Sequence, residues 1–93
     1  MRLIEVEIRN ESGLHARPAA DFVRAAAGFA SIIRIENLTA ARPPANARSI
    51  TGVLAAGVEK GHTVKITAEG PDEKDAVEGL QELLAGLVEP AGE

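Results

Sequence analysis

Ninety-three residues, 45% of them apolar, are enough for one hydrophobic core and predict a single domain without a linker. Phe22 and Phe29 are the sole aromatic residues, so the chain has no ladder of rings on which single-stranded nucleic acid would stack. A net charge of -4, spread over both halves, disfavours a nucleic-acid backbone or an anionic membrane as partner, and the absence of cysteine removes disulfides and thiolate metal ligands. No apolar run reaches signal-peptide or membrane-span length, which makes the cytoplasm the expected compartment. His15 and His62 lie far apart with no carboxylate at helical spacing, so neither a metal nor a cofactor is expected.

Leu3 to Arg9 alternates, with Ile4, Val6 and Ile8 pointing one way and Glu5, Glu7 and Arg9 the other, the pattern of a strand buried on one face. Beyond an Asn-Glu-Ser-Gly turn, Ala19, Phe22, Val23, Ala26 and Ala30 recur at helical spacing. This predicts a helix from about Ala16 to Ala27, with Pro18 in its first turn, where a missing N–H is no loss, and Gly28 at its end. Ile32 to Glu36 is β-branched on one face through Ile33 and Ile35, and the two prolines of NLTAARPPANA exclude a central strand after it. A short edge strand and an irregular loop are expected there. Ser49 is placed to cap a short helix through Ile50, Val53 and Leu54, which Gly52 weakens.

His62 to Glu69 alternates again through Val64, Ile66 and Ala68, between turns at Gly61 and Gly70. Pro71 and Asp72 then open the strongest helix, with Asp72 or Gly70 as its cap and Ala76, Val77, Leu80, Leu83, Leu84, Leu87 and Val88 as its apolar stripe. Residues 90–93 are expected to fray. The order βαββαβα predicts an α+β fold, an open-faced β-sandwich with a four-stranded antiparallel sheet and three helices on one side.

His15 stands just before a helix whose first turn offers unpaired N–H groups and the positive end of the dipole. Arg17 adds a planar cation suited to phosphate oxygens, and Gly13 permits a turn that other residues would strain. An imidazole is largely neutral near neutral pH, so one ring nitrogen keeps a lone pair for attack on phosphorus. Together these describe a phosphate site that contains a nucleophile. The competing reading makes His15 and Arg17 solvated residues at a loop–helix junction.

GLHARPAA, followed by Phe22 and Val23, resembles the active-site signature of HPr, the histidine phosphocarrier family of the sugar phosphotransferase system. The likeness continues through FASIIRIE, NARSI, Gly57-Val58 and EGPDEKDAVEGL, in the family's order over nearly the whole chain. It implies that His15 accepts a phosphoryl group on Nδ1 from phosphorylated enzyme I and passes it to the EIIA component of a sugar permease. Arg17 is then the phosphate contact, assisted by the backbone N–H groups of Ala16 and Arg17, in a monomeric carrier rather than a turnover enzyme.

The resemblance also aligns Ser49 with a serine that a dedicated HPr kinase/phosphorylase modifies in many Gram-positive-type systems, some of which add a catabolite-control transcription factor as partner. It puts Ile50 and Leu54 where the family presents an apolar knob, with Arg24 and Arg48 placed to surround it with positive charge. Thr51 stands where a larger apolar residue is usual, and the loop NLTAARPPANA is longer than the family's. His62 matches no family site and reads as a surface residue. Two rivals remain: an HPr-like regulatory module with little transport role, although regulatory paralogues tend to lose the histidine, and an acylphosphatase-like enzyme, which needs no such histidine.

Overall fold

Four strands and three helices make up the computed structural model, which describes residues 1–87. In chain order they are β1 (Arg2–Glu7), α1 (Ala16–Ala27), β2 (Ile32–Asn37), β3 (Ala45–Asn46), α2 (Ile50–Ala55), β4 (Thr63–Glu69) and α3 (Glu73–Ala85). The expected frayed end at 90–93, and Val88 of the last apolar stripe, lie outside the described residues.

The strands form one antiparallel sheet in the order β1-β4-β2-β3. Register follows from the alternation: Ile4 pairs with Ile66, and Ile66 with Ile35, which puts one isoleucine from each of β1, β4 and β2 in a row on the helix side. The opposite face carries rows such as Glu5, Lys65 and Glu36, and Lys65 is 3.3 Å from the Glu36 carboxylate. A sheet with one apolar and one polar face is covered by helices on the apolar side and meets water on the other.

Those helices bury matching stripes. Ala19, Phe22 and Ala26 of α1 and Ala76, Val77, Leu80 and Leu84 of α3 are buried, and the two helices pack against each other. Full burial of a side chain such as Phe22, Ile66 or Leu80 contributes roughly 1.5–3 kcal/mol. Both the class and the element order expected from the sequence are found.

Three local expectations need correction, and that of a short Ser49-capped helix is met. β1 stops at Glu7, because Ile8 leaves the ladder to bond with the 61–62 turn: its N–H donates to the His62 carbonyl at 2.8 Å and its carbonyl accepts from Gly61 at 2.6 Å. Gly28 does end α1, but in right-handed geometry (φ -78), and Ala30, counted on the helical stripe, lies beyond that end and is exposed. α2 forms despite Gly52, since that residue's N–H is what the Ser49 side chain accepts, at 3.0 Å. Asp72 occupies the N-cap position of α3 without capping it. Its carboxylate reaches back across the fold to the N–H groups of Ala30 (2.8 Å) and Ser31 (2.9 Å) and to the Ser31 hydroxyl.

Candidate functional site

The loop before α1 is built from the Asn10 side outward. Gly13 donates to the Asn10 carbonyl at 3.1 Å, and the buried Asn10 amide donates to the Gly13 carbonyl at 2.9 Å, closing a tight turn. Gly13 itself sits at φ +58, and a Cβ there would meet the Val58 carbonyl oxygen at 2.2 Å. Only glycine lets the two segments approach so closely. The approach is sealed by the Leu14 N–H, which donates to that same carbonyl at 3.0 Å.

His15 follows in extended geometry at the N-cap of α1, and Ala16 turns the chain into the helix at φ 51. Left-handed geometry at a residue with a Cβ costs about 1–2 kcal/mol, so the entry to this helix is strained. The N–H groups of Ala16 and Arg17 belong to its first turn, where no carbonyl of the same helix can accept from them. No acidic residue occupies that turn, and Arg17 is exposed with no carboxylate paired to it among the described residues.

One neighbour of His15 was missed in the sequence. The Val58 seam carries Glu59 beside the ring, and a Glu59 carboxylate oxygen lies 2.9 Å from His15 Nε2. The two are 44 positions apart, so no local spacing announces the pair. His62 is also more than a surface residue. Its Nδ1 accepts from the Glu59 N–H at 3.1 Å and lies 3.1 Å from Nδ2 of the fully buried Asn37. Asn37 is anchored in turn, donating to the Ala56 carbonyl at 2.9 Å and accepting from the Ala40 N–H at 3.0 Å.

The remaining residues singled out from the sequence divide into two groups. Ile50 and Leu54 are exposed on α2, at 42% and 41%, and Thr51 is exposed beside them, so the apolar knob does face outward. Ser49 caps that helix as expected. Arg24 is exposed and rests 3.3 Å from the Asp21 carboxylate. Arg48, by contrast, turns its guanidinium onto the Ala26, Phe29 and Ser31 carbonyls and so finishes the end of α1. Among the described residues no group of three or more His, Cys, Asp or Glu side chains is arranged to hold a metal, and no helix is long and apolar enough to cross a membrane.

The family model described as "PTS HPr component phosphorylation site" matches residues 4–86, a span that includes His15 and every element but the first two residues of β1. The chain belongs to the HPr family. Among solved HPr structures, that of HPr-C-His from Thermoanaerobacter tengcongensis is 42% identical, covers 94% of both chains and superposes with a TM-score of 0.87. The phosphocarrier protein HPr from Bacillus anthracis is 35% identical over 88% of this chain and 94% of that one, with a TM-score of 0.81. The multiphosphoryl transfer protein of Salmonella typhimurium is 43% identical over 88 residues, which are 94% of this chain and 23% of that protein. This HPr-family chain therefore spans about a quarter or less of the length of these curated relatives.

Proposed function

We propose that the chain is a phosphocarrier, in which His15 takes a phosphoryl group on Nδ1 from phosphorylated enzyme I and passes it to the EIIA component of a sugar permease. The observation that carries this reading is the half-exposed imidazole, 40% accessible, standing at the N-cap of α1 where the first N–H groups and Arg17 await an anion. Phosphoryl transfer asks chiefly for positioning and charge stabilisation, and here one nucleophile, one guanidinium and a helix end supply them. The partner brings the rest of the site. Such a group is a relay and has no turnover of its own, and the carrier works as a cytoplasmic monomer. The Crh structure from Bacillus subtilis, 38% identical, is described as a swapped dimer, so sedimentation of this chain checks the monomer directly.

Incubation with enzyme I and labelled phosphoenolpyruvate tests the reading. An acid-labile, base-stable phosphate appears on the wild-type chain and is absent from His15→Ala. Label retained by that variant rules His15 out, and steady hydrolysis of an acyl phosphate favours an acylphosphatase-like enzyme instead.

Ser49 supports a second, regulatory role. Its hydroxyl lies at the start of α2 beside the exposed Ile50, and the Bacillus subtilis relative Crh is named for catabolite repression. A phosphate there settles at the helix end while its charge repels an acidic partner from the knob. Treatment with HPr kinase/phosphorylase and labelled ATP checks it: label absent from Ser49→Ala, and slower transfer from enzyme I in the labelled wild type, are the expected results.

A further inference from the structure

We infer that Glu59 is a positioning residue for phosphoryl transfer at His15, and that His62 and Asn37 hold it in place; the inference rests on the phosphocarrier reading. An ionised carboxylate can only accept a hydrogen bond. With Glu59 Oε2 at 2.9 Å from Nε2, the ring nitrogen must be the donor, so in the neutral ring the proton resides on Nε2 and the lone pair on Nδ1. The carboxylate thus selects the tautomer whose nucleophilic nitrogen is Nδ1.

In the transfer, the Nδ1 lone pair forms the bond to phosphorus as the bond from phosphorus to the donor breaks, the electron pair of that bond leaving with the donor. No proton leaves His15. The ring becomes a cation bearing both the phosphoryl group and the Nε2 proton, and that proton stays directed at Glu59. A negative charge already in position beside the ring stabilises the cation as it forms, the same division of labour by which a carboxylate orients and supports a histidine in hydrolytic triads.

The carboxylate is not placed by chance contact of two flexible side chains. Glu59 is fixed through its backbone on both sides: the preceding Val58 carbonyl is bound by the Leu14 N–H at 3.0 Å, and its own N–H is bound by His62 Nδ1 at 3.1 Å. Because two N–H donors, from Glu59 and from Asn37, converge on His62 Nδ1, that nitrogen is the unprotonated one. The Glu59 carbonyl also accepts from the His62 N–H at 3.1 Å, and the His62 carbonyl accepts from Ile8 at 2.8 Å, tying the turn to the core. The side chains of Glu59 and His15 are 60% and 40% exposed, and a pair so open to water contributes little to folding. Its effect on the ring is therefore separable from stability.

The experiment compares wild type, Glu59→Ala and Glu59→Gln, with Lys60→Ala as a neighbouring control because Lys60 pairs with Glu11 at 2.6 Å and not with His15. Ring 15N chemical shifts of unphosphorylated His15 report the tautomer without any partner. The wild type and the Lys60 variant show the Nε2-protonated form, Glu59→Ala a mixture, and Glu59→Gln, which still accepts, restores that form. With enzyme I and phosphoenolpyruvate, Glu59→Ala lowers kcat about three- to tenfold at unchanged KM, while Glu59→Gln, lacking the charge, recovers only part of the loss. An unaltered tautomer in Glu59→Ala overturns the inference. So does a rise in KM at constant kcat, which would make Glu59 a docking contact. If wild-type His15 accepts no phosphate at all, the functional reading fails, while the tautomer measurement still decides what Glu59 does to the ring.

Discussion

Two helices of similar length begin in opposite ways. α3 carries Glu73 and Asp75 in its first turn, so the positive end of its dipole is answered by the chain's own carboxylates. α1 opens with His15, a left-handed alanine and Arg17, and has no acidic residue in its first turn. The first arrangement stabilises a helix, and the second leaves the positive end of the dipole open to an anion. α2 lies between the two: a neutral serine caps it, and a modification there would supply the charge that α3 already has.

The sharpest way to erase the contrast is Arg17→Glu, which gives α1 an acidic first turn like that of α3. Enzyme I assays with labelled phosphoenolpyruvate should show phosphoryl acceptance falling on the order of a hundredfold, while thermal melts show no loss of stability, because the new carboxylate faces the dipole. Next in size is Gly13→Ala. Its methyl is forced toward the Val58 carbonyl in left-handed geometry, and urea denaturation should register about 2 kcal/mol of lost stability or more. Ser49→Ala removes the cap of α2 and costs about 1 kcal/mol in the same measurement.

The smallest effect is the one at Asp72, which is partly exposed. The Ser31 hydroxyl, then the Ala30 N–H, hold its carboxyl below the ordinary carboxylate range, against the opposing effect of partial burial. Since the folded state releases this proton more readily than the unfolded state, the group stabilises the fold above the unfolded pKa. That contribution is lost as pH falls through the lower, folded value. Melting curves of wild type and Asp72→Asn should therefore differ near neutral pH and converge in the acid range; a constant gap would assign the effect to packing.

Local pattern carried most of this fold. α1 spans the residues its spacing predicts, and Val64, Ile66 and Ala68 of β4 are buried as their alternation requires. What stayed hidden joins residues distant in sequence. Asp72 reads as a cap by position, yet its partners lie 41 and 42 residues away; the Glu59–His15 pair spans 44. Arg48 looks like a free surface charge because nothing nearby in sequence reveals that the carbonyls at the end of α1 will face it. Periodicity encodes which face is buried, whereas these contacts depend on how the buried faces stack. At the candidate site, His15, Arg17 and Gly13 stand in one short stretch and were legible. Glu59 and His62 were not, since both arrive on a separate turn.

The seam between Gly13 and Val58 also bears on how brief an encounter can be. A half-exposed imidazole left to itself would sample several rotamers, and a partner would have to arrest it at a cost of about 0.5–1.5 kcal/mol. Here the seam brings Glu59 to the ring at folding, so part of that restriction precedes docking. On the phosphocarrier reading, a docking protein meets an imidazole already directed by Glu59, so less of its affinity goes to orienting the ring. Binding can then stay loose and short-lived, as the proposed relay between two partners requires.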